Sequence, residues 1–250
     1  MRVVGLVSGG KDSTYNLCKC VDDGHQIVAL ANLYPKFDEA KDELDSFMYQ
    51  TVGHQAIGSI AEALDVPLFR REISGTPLSQ TYTYDKTTGD EVEDLFELLL
   101  NIKNNGIEFD AISVGAIHSN YQGNRAQNIC DRLNLKMLAY LWERDQVELL
   151  QEMINYGMNA ILIKVAVIGL NEQHLGKSLE QMQPILLELK EKYGINVCGE
   201  GGEFESLTLD CPLFKRKLHI EDSKIIVHSN DAFAAVSYMR PLKISLKDKN

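Results

Sequence analysis

The chain has 250 residues, 44% of them hydrophobic, which suffices for one large or two small domains with a packed core. Its formal net charge of −11 at pH 7 disfavours a general nucleic-acid binder, because such proteins present a basic surface. No apolar run in the sequence reaches the roughly 18 residues that a membrane-spanning helix requires. We therefore expect a cytoplasmic protein that works without direct contact to nucleic acid or to a membrane.

Strands and helices alternate through the first part of the chain. Apolar runs predict strands at residues 2–8, 26–34, 66–73, 111–117 and 137–143. Amphipathic segments predict helices at residues 11–23, 46–65, 90–104 and 121–133, and residues 74–89 predict a long functional or mobile loop. The first run is too short for a signal peptide and leads into a glycine turn. The alternation predicts an α/β fold with a doubly wound parallel sheet.

The pattern of the second part is less regular and richer in strands. Helices are predicted at residues 145–156 and 178–193, with a kink or a break at Pro184. Strands are predicted at residues 159–167, 207–209, 217–220, 224–228 and 234–239. We therefore expect a second, mixed α/β domain, and divide the chain into residues 1–120 and residues 121–250.

The five cysteines do not predict a disulfide framework or a zinc site. Their number is odd and no CxxC pair occurs, whereas both kinds of site are built from paired cysteines. Cys18 and Cys20 fall on a predicted helix, where residues two positions apart do not face each other. We expect buried or half-buried thiols. The histidines show no metal-binding spacing either.

The sequence SGGKDS at residues 8–13 lies between the first predicted strand and the first predicted helix. A helix start offers unpaired N–H groups and partial positive charge, and glycines let an anion approach the backbone closely. Serine hydroxyls add donors, and Lys11 adds a full positive charge. The motif predicts a phosphate site formed by Ser8, Gly9, Gly10, Lys11, Asp12 and Ser13.

This motif has two other interpretations. Gly5 and Gly10-Lys11 have the spacing of a Walker A loop, but Asp12 stands where that loop needs Ser or Thr for magnesium. Gly5 also falls inside the predicted strand instead of a turn. A plain strand-to-helix turn without a ligand is the other alternative, although two glycines, two serines and a lysine exceed what a turn requires.

Three carboxylates crowd around two glycines near the end of the chain. Glu200, Glu203 and Glu205 flank the glycines at residues 201–202, and clustered acids are typical of cation sites. The segment therefore predicts binding of magnesium, ammonium or substrate. A β-turn that carries surface acids is the alternative.

Three further residues have two interpretations each. Asp45 and Tyr49 lie one helical turn apart, so they either line a common cleft or serve as a helix cap and a core aromatic. Arg125 either grips a phosphate or pairs with an acid on a helix. The sequence alone leaves these alternatives open.

SGGxDS after a first strand resembles the signature of the PP-loop, or N-type ATP pyrophosphatase, superfamily, whose fold is HUP-like (adenine nucleotide alpha hydrolase-like). Over nearly its whole length the chain resembles the diphthine–ammonia ligase family. The segments that carry this resemblance are residues 8–13, 43–53, 89–95, 113–117, 121–125, 199–205 and 209–214. The chain departs from the family pattern at Asn120, where an acid is frequent, and at Ser206-Leu207, where Thr and Phe are found.

The resemblance implies an amidation that consumes ATP. The carboxylate of diphthine on elongation factor 2 would become an acyl-adenylate, and free ammonium would convert it to the amide, with AMP and pyrophosphate as products. The implied cofactors are ATP and Mg²⁺. Alternatives are another PP-loop ligase or thiolase, or a non-catalytic ATP-binding module. The oligomeric state stays open, with a homodimer as one option.

The resemblance also implies roles for individual residues. The predicted catalytic residues are Lys11, Asp12, Glu200 and Glu203, with Asp12 either contacting magnesium or orienting the loop. The phosphate motif and Asn32, near the adenine, would bind ATP. The implied substrate-binding residues are Asp45, Tyr49, Tyr121, Arg125 and Glu205.

Overall fold

The computed structural model describes residues 1–36, 52–79, 81–229 and 235–249. Its strands are β1 (Arg2–Leu6), β2 (Gln26–Tyr34), β3 (Leu68–Glu72), β4 (Ala111–Ser113), β5 (Lys136–Leu138), β6 (Asn159–Val165), β7 (Phe204–Asp210), β8 (Arg216–Ser229) and β9 (Val236–Asp248). Its α-helices are α1 (Lys11–Asp22), α2 (Ile57–Leu64), α3 (Glu91–Asn104), α4 (Asn120–Leu133), α5 (Gln146–Asn155) and α6 (Leu179–Tyr193).

The chain divides into two compact units. The first unit falls within Met1–Ser8, Asp12–His54 and Val66–Trp142, and the second within Gly9–Lys11, Gln55–Asp65 and Glu143–Asn250. Residues 121–142 thus group with the first unit, whereas the division drawn from the sequence assigns them to the second domain. That division, as a statement about independently folding domains, stays a prediction.

The first unit contains a five-stranded parallel sheet with the order β3-β2-β1-β4-β5. This confirms the predicted doubly wound α/β fold. The order reverses between β1 and β4, so the chain leaves these two neighbouring strands in opposite directions. In sheets of this kind, ligands bind beyond the carboxyl ends of the strands at such a reversal. The SGGKDS motif follows the carboxyl end of β1.

The core of the first unit explains why these segments form its elements. β1 is buried on both faces, as expected for a central parallel strand. The buried residues of α3 recur every three or four positions, at Val92, Leu95, Leu98, Leu99 and Ile102, and form one apolar stripe. Asp90 caps α3 by accepting a hydrogen bond from the Val92 N–H.

A buried asparagine joins the first helix to the sheet. The Asn16 amide donates to the Ser113 hydroxyl at 2.7 Å and to the Leu138 carbonyl at 2.8 Å. Its carbonyl accepts the Tyr140 N–H at 2.8 Å. Because both ends of the amide are bonded, Asn16 fixes α1 against β4 and β5 without a cost for its burial.

The second unit contains a four-stranded antiparallel sheet with the order β7-β6-β9-β8 and includes α2, α5 and α6. This confirms the predicted mixed α/β character. Two of its helices, α5 and α6, begin at side-chain caps: Asp145 accepts the N–H groups of Val147 and Glu148, and Ser178 accepts that of Gln181.

Several predicted boundaries are wrong. The strands predicted at residues 217–220 and 224–228 form one strand, β8, which passes the polar residues between them with register shifts near Asp222. The strands predicted at 111–117 and 137–143 are only three residues long. α6 continues through Pro184, so no break occurs there. Of the helix predicted at 46–65, residues 46–51 lie outside the described ranges.

Candidate functional site

The first turn of α1 has the features of an anion site. The Ser8 N–H donates to the Ser13 hydroxyl at 3.3 Å, and the two hydroxyl oxygens also lie 3.3 Å apart. Gly9 has a φ of +88°, a conformation that glycine adopts without strain. Asp12 belongs to the same first turn. The predicted phosphate motif is therefore a compact turn in which glycine, hydroxyl and helix-start N–H groups are close together.

Gly115, in the segment after β4, approaches the first turn of α1 directly. A Cβ atom at this position would lie 2.6 Å from the Ser13 nitrogen and 2.7 Å from the Asp12 carbonyl carbon. Real Cβ atoms do not come that close to backbone atoms, so only glycine fits. Residues 113–117, which include Gly115, are among the segments that carry the family resemblance, but Gly115 was not predicted to be a site residue.

Asn32 joins the carboxyl ends of two strands. Its amide donates to the Val7 carbonyl at 2.9 Å, and its carbonyl accepts the Arg70 Nε–H at 2.8 Å. The exposed Arg70 guanidinium also lies 4.6 Å from the centre of the Tyr34 ring. Asn32 thus holds the residue after β1 in place. Its predicted contact with adenine stays a prediction.

Lys11 is only 2% exposed and bonds to residues of the second unit, of which it is part. Its Nζ donates to the Cys198 carbonyl at 2.5 Å and lies 5.3 Å from the centre of the Phe204 ring. Its backbone N–H donates to the Ser206 hydroxyl at 3.1 Å. A buried ammonium group needs such acceptors to offset the loss of hydration. The position of Lys11 is therefore set by β7 and by the residues just before it.

The three predicted acids have different surroundings. The Glu203 carboxylate accepts the Asn196 N–H at 2.6 Å, and burial raises the pKa of Glu203 above its usual value. Glu205 and Lys164 form an ion pair at 3.2 Å in which both side chains are mostly buried. Glu200 begins a short 3₁₀ turn that ends at Gly202. Within the described residues, no three His, Cys, Asp or Glu side chains are grouped to hold a metal ion.

Arg125 is fully buried and holds a loop of the first unit. Its Nη2 donates to the Ser79 carbonyl at 2.5 Å and to the Thr81 carbonyl at 3.1 Å. Its Nη1 donates to the Tyr121 carbonyl at 3.1 Å, and the guanidinium carbon lies 3.3 Å from the centre of the Tyr121 ring. No carboxylate pairs with Arg125 among the ion pairs found in the described ranges. Its predicted contact with substrate stays a prediction.

The loop at residues 74–89 is anchored at several points. Asp90 accepts the N–H groups of Leu78 and Ser79 at 3.0 and 2.9 Å. Asp94 accepts the N–H groups of Ser74 and Gly75, both at 2.8 Å. These bonds hold residues 74–79 to the first turn of α3. The predicted substrate residues Asp45 and Tyr49 lie outside the described residues.

The cysteines lack the features of sulfur chemistry. All five are buried thiols outside any disulfide, which confirms the expectation from the sequence. Burial raises the pKa of Cys20 to about 11 and that of Cys130 to about 12. Because the thiolate is the reactive form, these two thiols are inert at neutral pH.

Comparison with known proteins places the chain in a family. A family model described as the diphthamide synthase N-terminal domain matches residues 1–137, and one described as the C-terminal domain matches residues 145–240. The chain belongs to the diphthamide synthase family. The resemblance drawn from the sequence is confirmed, and the chain is a member of a ligase family.

Relatives in the diphthamide synthase family match this chain from end to end. A human protein is 57% identical over 251 residues, which cover 100% of this chain and 94% of the relative. A Danio rerio protein is 57% identical over 250 residues and 98% of its own length. A Schizosaccharomyces pombe protein is 50% identical over 249 residues, but these cover only 40% of its length. All three relatives are named diphthine–ammonia ligase.

In the described part of the chain, no helix is both long and apolar enough to cross a bilayer.

Three residues that hold Lys11 were missed from the sequence. Cys198, Phe204 and Ser206 are 187 or more positions from Lys11 along the chain. The sequence offers one signal: residues two positions apart in a strand share a face, so Phe204 and Ser206 are expected on the same face. Nothing in that pattern specifies that Lys11 lies against this face.

Proposed function

We propose that this chain amidates the carboxylate of diphthine on elongation factor 2, using ATP and ammonium, and releases AMP and pyrophosphate. The observation that carries the proposal is a compact glycine–serine–lysine turn at the start of α1 in a chain that matches diphthine–ammonia ligases over its full length. The turn supports a phosphate site, and the similarity to diphthine–ammonia ligases supports diphthine as the substrate.

The proposed reaction has two steps. A carboxylate oxygen of diphthine attacks the α-phosphorus of ATP, and the bond between this phosphorus and the bridging oxygen breaks to release pyrophosphate. Ammonium gives up one proton to become ammonia, whose nitrogen attacks the acyl carbon of the adenylate, loses a second proton, and displaces AMP. The protein has to hold the reactants in line, offset the developing negative charge, and keep water from the adenylate.

Residues of the first turn suit the phosphate part of this task. We assign the pyrophosphate portion of ATP to Ser8, Gly9, Gly10 and Ser13, whose backbone or hydroxyl groups offer donors at the start of α1. Lys11 stabilises the charge that develops on the leaving group. An ammonium group has three N–H donors, so Lys11 can bond a phosphate oxygen and keep its bond to the Cys198 carbonyl.

Mg²⁺ fits this arrangement through Asp12. Magnesium that accompanies nucleotide phosphates uses one or two protein carboxylates and keeps several waters, and Asp12 offers a half-buried carboxylate in the first turn of α1. Its contribution would be to neutralise phosphate charge.

Glu200 and Glu203 are proposed to attract ammonium, because carboxylates bind cations. The raised pKa of Glu203, which burial causes, also suits this group to accept a proton from the attacking nitrogen. Glu205 forms an ion pair with Lys164, so we propose an indirect role for Glu205 in substrate binding.

The acidic net charge agrees with a protein substrate instead of a nucleic acid. The cytoplasm, where translation occurs, is the proposed location.

The direct test incubates the protein with labelled ATP, ammonium and elongation factor 2 that carries diphthine. We expect AMP and pyrophosphate in equal amounts, and amide on the factor. A heavy-oxygen label placed in the diphthine carboxylate is expected to appear in the phosphate of AMP, because the acyl-adenylate transfers it. Factor without diphthine is the control. Production of ADP, or AMP without the oxygen label, would refute the proposed chemistry.

A further inference from the structure

Ser206 and Lys11 form a buried contact that the proposed reaction has not used so far. Ser206 lies on β7, is 3% exposed, and accepts the backbone N–H of Lys11 at 3.1 Å. Lys11 is the first residue of α1. The first N–H groups of a helix have no partner within that helix, so the Ser206 hydroxyl supplies one that the local sequence does not.

The same stretch of chain also fixes the neighbours of this N–H group. The Gly9 carbonyl accepts the Thr208 N–H at 2.8 Å. The far end of the lysine side chain bonds to the Cys198 carbonyl and lies over the Phe204 ring. Lys11 is thus held at its backbone and at its ammonium group. Since a lysine side chain has four rotatable carbons, fixing both ends removes most of its freedom before a ligand arrives.

We propose that Ser206 is a positioning residue for Lys11: its hydroxyl holds the lysine backbone so that the ammonium group meets the phosphate charge as it develops. The inference rests on the proposed use of ATP and deepens it. Ser206 itself touches no reacting atom in this account. Its effect should therefore fall on the rate of the chemical step more than on the affinity for ATP.

The kinetic test compares Ser206→Ala with Ser206→Thr, which keeps the hydroxyl. We expect Ser206→Ala to lower kcat roughly tenfold and to change KM for ATP by less than about twofold. Ser206→Thr should return kcat to within about threefold of the wild-type value. If Ser206→Ala does not fold, Ser206→Cys, a similar volume with a weaker acceptor, takes its place.

Ser237→Ala is the matched control. Ser237 is also a fully buried serine of the antiparallel sheet, but its hydroxyl has no hydrogen-bond partner in the described part of the chain. Its removal should leave kcat unchanged. Equal loss of kcat in Ser206→Ala and Ser206→Thr, or in Ser206→Ala and Ser237→Ala, would overturn the inference, because packing and not the hydroxyl would then be responsible.

Hydrogen exchange gives a readout that does not depend on the substrate assignment. In the full-length protein without ligand, the Lys11 amide should exchange faster in Ser206→Ala than in wild type, while amides in the middle of α1 keep their protection. Unchanged exchange at Lys11 would refute the role of Ser206 even if the enzyme is active. Faster exchange in a protein that makes no AMP would instead support the contact and reject the proposed reaction.

Discussion

Lys11 and Arg125 are two buried cations that bond backbone carbonyls and lie against aromatic rings, yet we propose different roles for them. The rigid guanidinium of Arg125 donates hydrogen bonds to the carbonyls of Ser79 and Thr81 in the loop and of Tyr121 in its own helix. The Lys11 ammonium group donates to the Cys198 carbonyl and has rotatable N–H groups. A guanidinium is thus suited to fixing a loop, whereas an ammonium group can donate a hydrogen bond to a phosphate oxygen while it keeps its bond to a first acceptor.

The largest expected effect comes from Lys11→Ala. Loss of one preorganised donor to a developing charge typically costs about 3–4 kcal/mol of transition-state stabilisation, so kcat should fall about 10²–10³-fold. The variant is expected to stay folded, but with a lower thermal midpoint, because the buried Cys198 carbonyl loses its donor. The assay is AMP formation in parallel with calorimetry. Retained activity would remove Lys11 from the mechanism.

Arg125→Met is expected to act in the opposite way, on stability. It leaves three loop and helix carbonyls without their charged donor, at a cost of about 2–4 kcal/mol. For a chain of this size the thermal midpoint should fall by roughly 5–15 °C. Calorimetry measures this directly. An unchanged midpoint with a lower kcat would instead make Arg125 a substrate residue and erase the contrast with Lys11.

The smallest effect is expected at Glu203, and its sign depends on pH. Burial raises the pKa of Glu203 in the folded protein above its ordinary value of 4.5. Between pH 4.5 and the higher pKa of the folded state, the folded protein therefore binds more protons than the unfolded chain. Stability from this group is present below pH 4.5 and is lost as pH rises through the folded pKa. Glu203→Gln should therefore raise the thermal midpoint at neutral pH relative to wild type, and not at pH 4.

The same variant tests catalysis. If Glu203 accepts a proton from the attacking nitrogen, Glu203→Gln should slow amide formation while AMP release to water continues. A variant with normal amidation would show that the carboxylate is a structural acceptor for the Asn196 N–H, a role that glutamine can fill.

In both units some element boundaries could be predicted from the sequence and others could not, for a physical reason. β2 and the start of α1 agree with their predicted bounds because buried parallel strands read as apolar runs and helices as amphipathic ones. β8 was divided into two strands because its exposed, polar middle lacks the alternation that marks a half-buried strand. The accuracy of a predicted boundary therefore depends on how clearly the local sequence pattern marks that helix or strand.

The site shows the same limit. The turn at residues 8–13 could be predicted because its residues are consecutive in the chain, and its binding of phosphate stays a prediction. The contacts of Lys11 with Cys198 and Ser206 could not, because they depend on tertiary structure between residues far apart in the chain. Arg125 likewise bonds loop carbonyls, which have no signature in a sequence.

The most direct measurement is a crystal structure of the protein with a non-hydrolysable ATP analogue and magnesium. We expect phosphate oxygens about 2.7–3.2 Å from backbone or hydroxyl donors of residues 8–13, with the Lys11 Nζ also within hydrogen-bonding distance. A nucleotide bound elsewhere, with no contact to residues 8–13, would refute their role in ATP binding.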